Sequence, residues 1–222
     1  MIICIGEVLA ADALREITGL LDQAGFVEGR STAGWAAREV KHNLQLSTKA
    51  PQHARATAIA RGAIDNNATF KSASLPRALT PLLFSRSETG MGYGAHVDNA
   101  MMGDPPVRTD LAFTLFLSAP EQYEGGALVI DDAGGEQEFK LPAGAMVLYP
   151  ATTLHRVEEV TRGRRDVAVG WVQSLVRDPR GREMLFDLDR TRRALFERDG
   201  KSAEFDTLQK TYSNLLRMLA ET

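Results

Sequence analysis

The sequence predicts a mainly β protein with flanking helices, arranged as a sandwich or a barrel. Short apolar segments separated by Gly, Pro, Asp and Asn fill residues 79–176, a spacing typical of those folds. Residues 178–222 are charged and repeat with helical periodicity. The 222 residues, 44% of them hydrophobic, suffice for one large domain with a small appendage. We predict a β domain over residues 1–177 and a helical segment over residues 178–222.

The N-terminal third mixes strands with helices. Ile2–Val8 is typical of a strand, and the apolar spacing over Leu14–Leu21 predicts a helix that Gly25 ends. Glu39–Ser47 alternates between apolar and polar residues, which predicts one half-buried strand. Pro51 opens an Ala-rich helix that runs to about residue 64, since proline is tolerated in a first helical turn.

The central region is predicted to be almost entirely strand, followed by two helices. The candidate strands are Pro81–Ser87, Asp110–Leu117, Ala127–Asp131, Glu136–Lys140, Ala145–Tyr149, His155–Thr161 and Arg165–Leu175. Beyond Asp178, two apolar stripes predict antiparallel helices joined near Gly200. The stripe of the second helix must be buried, and a second subunit or the chain's own β domain could cover it. A homodimer is the favoured interpretation.

Composition and charge exclude several classes of protein. The net charge of −3 comes without a basic block, which argues against nucleic-acid binding. Cys4 is the only cysteine, so neither a disulfide framework nor a Cys-rich zinc site is expected. The N-terminus lacks the pattern of a signal peptide, and no apolar run is long enough to span a bilayer. We therefore expect a soluble cytoplasmic protein.

Two histidines and an aspartate form the most informative pattern in the chain. His96 and Asp98 are separated by one residue, so at a strand end their side chains point to the same side. Joined by His155 from a distant strand, they can cap one face of an octahedral Fe(II) and leave three positions open. Alternatively, the first two form a loop hydrogen-bond pair and the third caps a strand. A structural zinc site is less favoured because thiolates are absent, although nickel or zinc could occupy the site in a purified sample.

Arg165 lies ten residues after the second histidine. On its strand it shares a face with Val167, Val169 and Trp171, so an inward-facing strand would bury its charge. A buried charge needs a partner, and the carboxylate of a ligand would supply one. The alternative is a surface salt bridge with Asp166 or Glu158. The neighbouring arginines are expected to be solvated, because Arg164 has the opposite parity and Arg162 lies in a turn.

Two further segments are candidates for substrate binding. Asn99–Val107, which contains Met101 and Met102, follows the His-x-Asp motif and could form an adaptable lid or an ordinary connection. The polar face of the 39–47 strand, made by Lys41, Asn43 and Gln45, could line the mouth of the site. A solvent-facing strand surface would show the same pattern and is the favoured interpretation. The candidate substrate residues are Asn43, Gln45, Met101 and Met102.

These motifs together resemble the Fe(II)- and 2-oxoglutarate-dependent dioxygenases of the prolyl 4-hydroxylase-like group, and most of all the bacterial PKHD-type hydroxylases. The resemblance rests on Tyr93-Gly-Ala-His96-Val-Asp98, on Glu124-Gly-Gly-Ala-Leu128, and on His155 and Arg165. It implies a double-stranded β-helix, or jelly roll, in which His96, Asp98 and His155 hold Fe(II). Arg165 would bind the distal carboxylate of 2-oxoglutarate, and Tyr93 would either contact the co-substrate or wall the loop.

The implied reaction is the oxidative decarboxylation of 2-oxoglutarate by O2, coupled to hydroxylation of a C–H bond. The resemblance further suggests a link to iron uptake and a use of ascorbate. It does not separate a peptidyl proline from a small molecule such as an iron chelator. A non-catalytic cupin-like iron binder or sensor and a β-sandwich interaction module are the remaining interpretations.

Overall fold

A computed structural model of the chain describes residues 1–221, apart from the side chain of Ser31. Two antiparallel sheets form a jelly roll, and five helices pack outside it. The helices are α1 (Ala11–Asp22), α2 (Pro51–Asn66), α3 (Ala68–Ser74), α4 (Pro179–Asp199) and α5 (Ala203–Leu219). The predicted mainly β fold with a helical C-terminal segment is confirmed.

The major sheet has nine strands. In spatial order, its seven main strands are β1 (Ile3–Ile5), β14 (Met146–Pro150), β10 (Leu111–Phe116), β16 (Val160–Ser174), β6 (Leu83–Glu88), β4 (Leu44–Leu46) and β2 (Phe26–Glu28). Two more strands, β5 (Pro76–Leu79) and β11 (Tyr123–Gly125), also pair with β16. The long β16 therefore lies at the centre of the sheet, which explains why most residues of its second half are buried on both faces.

The minor sheet has five strands and faces the major one. Its spatial order is β13 (Gly135–Phe139), β12 (Leu128–Asp132), β15 (Leu154–Val157), β7 (Gly92–His96) and β3 (Lys41–His42). A separate hairpin pairs β8 (Met101–Met102) with β9 (Val107–Arg108). Three 3₁₀ turns complete the elements: Gly29–Thr32, Ala37–Val40 and Pro120–Gln122.

Two apolar layers hold this architecture together. One lies between the sheets, where Phe116 and Val167 of the major sheet contact Leu128 and Ile130 of the minor sheet. The other lies behind the major sheet, where α1, α2 and α3 cover its outer face. That outer layer contains the fully buried side chains Ile17, Leu21, Ile64, Phe70, Phe84, Phe113 and Leu115. Both faces of the major sheet are thus covered, whereas the minor sheet has one apolar face.

The prediction of a single strand over Glu39–Ser47 is wrong. A 3₁₀ turn over Ala37–Val40 comes first, and the chain then crosses from the minor to the major sheet at Asn43. The preference for a solvated polar face is wrong for the same reason, because the crossing turns these polar residues toward the space between the sheets. Lys41, Asn43 and Gln45 are 6%, 8% and 5% exposed, while Val40 is 44% exposed.

Other differences concern boundaries and short elements. The first strand is only three residues long, α1 ends before Gly25, and the candidate strand His155–Thr161 breaks between Val157 and Val160. The sequence patterns also missed α3, β5, β7 as a strand, and the β8–β9 hairpin. These elements are short and stabilised by neighbours distant in sequence, so local periodicity carries little signal for them.

The C-terminal helices pack on their own chain. They run antiparallel across a turn at Gly200, as the contacts Phe196–Phe205 and Arg192–Tyr212 show. The apolar face of α5 covers a small cluster of Leu75, Val176 and Leu185. The apolar face of α5 therefore packs against its own chain. Association into a homodimer stays a prediction. Within residues 1–221, no helix combines the length and apolarity needed to cross a membrane.

Candidate active site

Three side chains that could hold a metal ion converge at the open end between the two sheets. His96 is the last residue of β7, Asp98 follows two residues later, and His155 lies on the neighbouring β15. Because His96 and His155 are direct partners in the antiparallel β7–β15 pair, the fold brings them together across 59 residues of sequence. One ligand atom from each of the three residues lies within 4.8 Å of the others, and His155 Nε2 is 3.9 Å from Asp98 Oδ1.

Backbone hydrogen bonds set the tautomer of both histidines. His96 Nδ1 donates to the Gly94 carbonyl oxygen at 2.8 Å, and His155 Nδ1 donates to the Thr153 carbonyl oxygen at 3.0 Å. Each ring therefore keeps Nε2 as a free electron-pair donor, an arrangement typical of metal-ligating histidines. Burial, with help from the neighbouring His155, lowers the pKa of His96 to about 4, so its ring is neutral at pH 7.

Asp98 supplies the test of whether a cation fits. Its side chain is 5% exposed, and Oδ2 has no hydrogen-bond partner among the described residues. Burial raises the pKa of this carboxyl group, an effect that the charges of His155 and Lys41 oppose. An orphaned buried carboxylate oxygen is costly, and a divalent cation between it and two imidazole nitrogens would satisfy it. The donor set of two histidines and one carboxylate fits Fe(II).

Arg165 is buried, and the residues that the structure describes place no carboxylate in an ion pair with it. It is 2% exposed, and its Nε and Nη2 atoms have no hydrogen-bond partner among the described residues. Burial lowers the pKa of its guanidinium group. The alternative of a surface salt bridge with Asp166 or Glu158 is wrong, because Arg165 is buried and forms no ion pair within 4.0 Å among the described residues. Arg86 instead holds the Asp166 carboxylate at 2.8 Å on the opposite face of β16.

The two neighbouring arginines behave differently from Arg165. Arg164 is half exposed and binds Asp22 at 2.6 Å and Asp166 at 3.1 Å. Arg162 is exposed and binds Glu124 at 2.6 Å. Both therefore have acidic partners, which leaves Arg165 as the arginine of this segment with unused donors facing the cavity.

The Gly125-Gly126 turn passes directly over Arg165. Both glycines have left-handed backbone angles, with φ of +67° and +65°. A Cβ on Gly126 would lie 3.1 Å from Arg165 Cδ, and one on Gly125 would lie 2.1 Å from the Glu159 carbonyl oxygen. Only glycine combines that conformation with such close approach, so the turn shapes the wall around the guanidinium.

Aromatic rings wall the pocket. Tyr93 stacks on the His96 ring with centroids 3.6 Å apart, and burial raises its pKa to about 12. Tyr149 presents an edge to His155 at 5.3 Å, and Tyr123 leaves its buried hydroxyl without a hydrogen-bond partner among the described residues. Sequence reasoning missed Tyr149 as a pocket wall and Tyr123 as a neighbour of the Arg165 side chain. Their positions just before the Pro150–His155 turn and the Gly-Gly turn were the available signals.

The substrate candidates divide into lining and non-lining residues. Asn43, Gln45 and Met102 line a cavity of about 100 Å³ together with His96, Asp98, His155 and Arg165. Met101 does not line it and is 52% exposed. The Asn99–Val107 segment is an ordered hairpin beside the mouth of the cavity, anchored where Thr109 donates to the Asn99 carbonyl oxygen at 2.6 Å.

Sequence comparison agrees with this geometry. Residues 82–173 match the 2OG-Fe(II) oxygenase superfamily, and residues 180–221 match the PKHD-type hydroxylase C-terminal domain. A PKHD-type hydroxylase of Synechococcus elongatus is 54% identical, and the alignment covers 100% of both chains. Another, from Rippkaea orientalis, is 52% identical over 98% of both chains.

Solved structures share the fold at low sequence identity. A prolyl-4-hydroxylase from Pseudomonas putida superposes with a TM-score of 0.53 at 18% identity, covering 78% of this chain and 92% of that one. A prolyl hydroxylase from Trichoplax adhaerens, in complex with a hypoxia inducible factor peptide, gives 0.57 at 11% identity, with coverage of 77% and 83%. HygX from Streptomyces hygroscopicus, with nickel, 2-oxoglutarate and hygromycin B bound, gives 0.52 at 12% identity, with coverage of 79% and 84%.

The interpretations as a non-catalytic iron binder and as an interaction module are therefore not supported. The family implies Fe(II) as the metal cofactor and 2-oxoglutarate and O2 as co-substrates. With relatives more than half identical over its whole length, this chain belongs to the PKHD-type hydroxylases, enzymes of the 2OG-Fe(II) oxygenase superfamily.

Proposed function

We propose that the protein hydroxylates an unactivated C–H bond of an organic substrate, with 2-oxoglutarate as co-substrate. One observation carries the proposal: the cavity is lined both by three side chains that could hold a metal ion and by a buried arginine to which the described residues offer no anionic partner. A metal site alone would serve storage or structure. The added guanidinium supplies a second binding group, which can pair with one carboxylate of a dicarboxylic 2-oxo acid.

His96, Asp98 and His155 would hold the Fe(II) through one face. Arg165 would bind the distal carboxylate of 2-oxoglutarate, and the unpartnered hydroxyl of Tyr123 lies beside the same guanidinium group. Tyr93 holds the His96 ring in place by stacking on it. When bound, the iron supplies the oxidative decarboxylation of 2-oxoglutarate by O2 and the coupled hydroxylation.

The protein contributes orientation and exclusion of water. Backbone carbonyls fix both imidazole rings. Tyr149 lines the cavity with apolar surface, and the Phe116 ring lies 5.5 Å from the Arg165 guanidinium carbon. In such an environment, charge-assisted bonds to a carboxylate are stronger than in water. The buried Arg165 therefore binds the co-substrate in a defined orientation toward the metal.

The nature of the substrate stays open between a peptidyl residue and a small molecule. Fold similarity does not decide it, since the solved relatives include one bound to a peptide and another bound to hygromycin B. Asn43, Gln45 and Met102 are the proposed substrate contacts, and Met101 at the rim is a weaker candidate. The link to iron uptake and the use of ascorbate stay predictions from the family resemblance.

A substrate screen tests the proposal. Purified protein with Fe(II) and 2-oxoglutarate is incubated with peptide and metabolite pools, and succinate release and products heavier by one oxygen are measured. We expect a substrate-stimulated rise in succinate that Asp98→Ala abolishes. Succinate formation that Asp98→Ala leaves unchanged would reject the proposal. Parallel reactions without ascorbate, and growth of a deletion strain under iron limitation, test the two remaining predictions.

A further inference from the structure

A second buried cation faces the same cavity. Lys41 lies on β3, directly opposite Tyr93 of β7, and is 6% exposed. Its side chain lines the cavity beside Asn43 and Gln45, and its Nζ lies 5.2 Å from the centroid of the Tyr93 ring. It therefore enters the site from the minor sheet, whereas Arg165 enters it from the major sheet.

The described residues give this ammonium group no direct ion pair, and the Asp98 carboxylate acts on its charge only from beyond 4.0 Å. Its hydrogen bond among the described side chains is to Thr32 Oγ1 at 2.9 Å, and within residues 1–221 no carboxylate oxygen lies within 4.0 Å of Nζ. Thr32 in turn is held by the Gly29 carbonyl oxygen and by Gln45 Oε1, at 2.9 and 3.0 Å. The amine is therefore positioned by a neutral network and keeps donors free for a ligand.

Other buried cations of this chain show what ordinary compensation looks like. Arg86 forms a bidentate pair with Asp166, and Arg182 donates to the carbonyl oxygens of Val176 and Arg177. Burying a charge without such partners is costly. A lysine kept in this state at the edge of a reaction cavity fits a site whose anion arrives with the ligand.

We propose that Lys41 binds an anionic group, a carboxylate in particular, on the molecule that is hydroxylated. This rests on the proposed function and narrows the substrate class to acids, such as amino acids or other organic acids. The balance of charges between the two sheets supports this assignment. In the proposed function, Arg165 would bind the distal carboxylate of 2-oxoglutarate. The other carboxylate and the keto group would bind the metal. The charge of Lys41 then remains for the second reactant, and Gln45 and Asn43 lie beside it.

The test uses acetate as the simplest carboxylate probe. Protein is loaded with Mn(II), a redox-silent paramagnetic ion, and saturated with 2-oxoglutarate so that the Arg165 site is filled. Enhanced NMR relaxation of the acetate methyl group reports binding close to the metal, and acetamide serves as the neutral probe of equal shape. We expect relaxation of acetate, but not of acetamide, in the wild type.

The variants separate Lys41 from general charge effects. Lys41→Met should weaken acetate binding by about 10- to 150-fold, the loss expected for one charge-assisted pair, and Lys41→Arg should retain it. The matched control Lys49→Met removes an exposed lysine and should change nothing. Circular dichroism and 2-oxoglutarate affinity within about threefold of wild type establish that Lys41→Met is folded and loaded.

Three results would overturn the inference. They are no acetate relaxation in the wild type, equal acetate binding in Lys41→Met, and a loss of 2-oxoglutarate affinity in Lys41→Met as large as that of an Arg165 variant. The last would assign the amine to the co-substrate. Failure of the wild type to bind Mn(II) or 2-oxoglutarate would instead reject the proposed function itself.

Discussion

Replacing Arg165 by Met should have opposite effects on stability and on co-substrate binding. Without a ligand, the guanidinium is buried with two of its nitrogen atoms unpartnered among the described residues, so it destabilises the fold. Met fills a similar volume without a charge. We therefore expect Arg165→Met to be at least as stable as the wild type when 2-oxoglutarate is absent. A residue that only supported the fold would show the reverse.

The magnitude for binding follows from the contact that is lost. A charge-assisted, bidentate bond contributes roughly 1.5–3 kcal/mol, so the dissociation constant of 2-oxoglutarate should rise about 10- to 150-fold. At a concentration 100 times the wild-type dissociation constant, the ligand stabilises the wild type by about 2.7 kcal/mol. In the variant, whose dissociation constant is higher by that factor, the gain should fall to about 0.3–1.4 kcal/mol.

Calorimetric titration of 2-oxoglutarate into Mn(II)-loaded protein measures the dissociation constant. Thermal unfolding with and without 2-oxoglutarate measures the stability of each variant. Arg164→Met is the matched control, since that side chain is half exposed and is bound to Asp22. Its effect on affinity should stay below about threefold, within the range of surface ion pairs. Equal losses of affinity in the two variants would refute the assignment of the interior guanidinium.

Three further predictions concern the turn, the pH dependence and the tail. Gly126→Ala should cost about 1–3 kcal/mol and weaken 2-oxoglutarate binding, whereas Gly135→Ala, also at a positive φ but with open space around its Cβ, should leave ligand titrations unchanged. Burial lowers the pKa of Lys41 to about 8 from its ordinary 10.5, so below pH 8 the buried charge destabilises the folded state. Between pH 8 and 10.5 the folded protein has lost this proton while the unfolded chain still holds it, so the free energy of unfolding rises with pH. In urea denaturation of ligand-free protein, Lys41→Met should therefore exceed the wild type in stability at pH 7, by up to about 3 kcal/mol, and lose this advantage by pH 10; a constant difference would contradict this. Leu185→Ala, at a fully buried position, should cost about 2–5 kcal/mol and leave iron binding intact, while the half-exposed Met184→Ala should cost under about 1 kcal/mol.

Local sequence patterns predicted the parts of the site that depend on spacing along one strand. The inward face of β16 follows from period two, which is why the parity of the two positions is enough to distinguish Arg165 from Arg164. The short spacing of His96 and Asp98 similarly placed both side chains on one side. Strand alternation and residue chemistry suffice for such inferences because they involve neighbours in sequence.

Other parts depend on contacts that the sequence does not encode locally. The direct pairing of His155 with His96 is a property of the sheet order, and the burial of Lys41 results from the crossing between β3 and β4. The same alternating pattern would suit a solvated strand, so periodicity alone favoured solvent exposure for Lys41, Asn43 and Gln45, which are in fact buried. The covering of Leu75 and Val176 by α5 also joins distant segments. Amphipathicity predicted that the helix is covered, but not by what.

Iron binding by variants of the triad tests the central claim most directly. Anaerobic titration of Fe(II) into purified protein should give one bound ion per chain in the wild type and in His42→Ala, a control histidine exposed on β3. Asp98→Ala should bind no iron while its circular dichroism stays unchanged, because the carboxylate belongs to the site and not to the apolar core. Full iron occupancy in a folded Asp98→Ala protein would contradict the proposed metal centre and, with it, the proposed reaction.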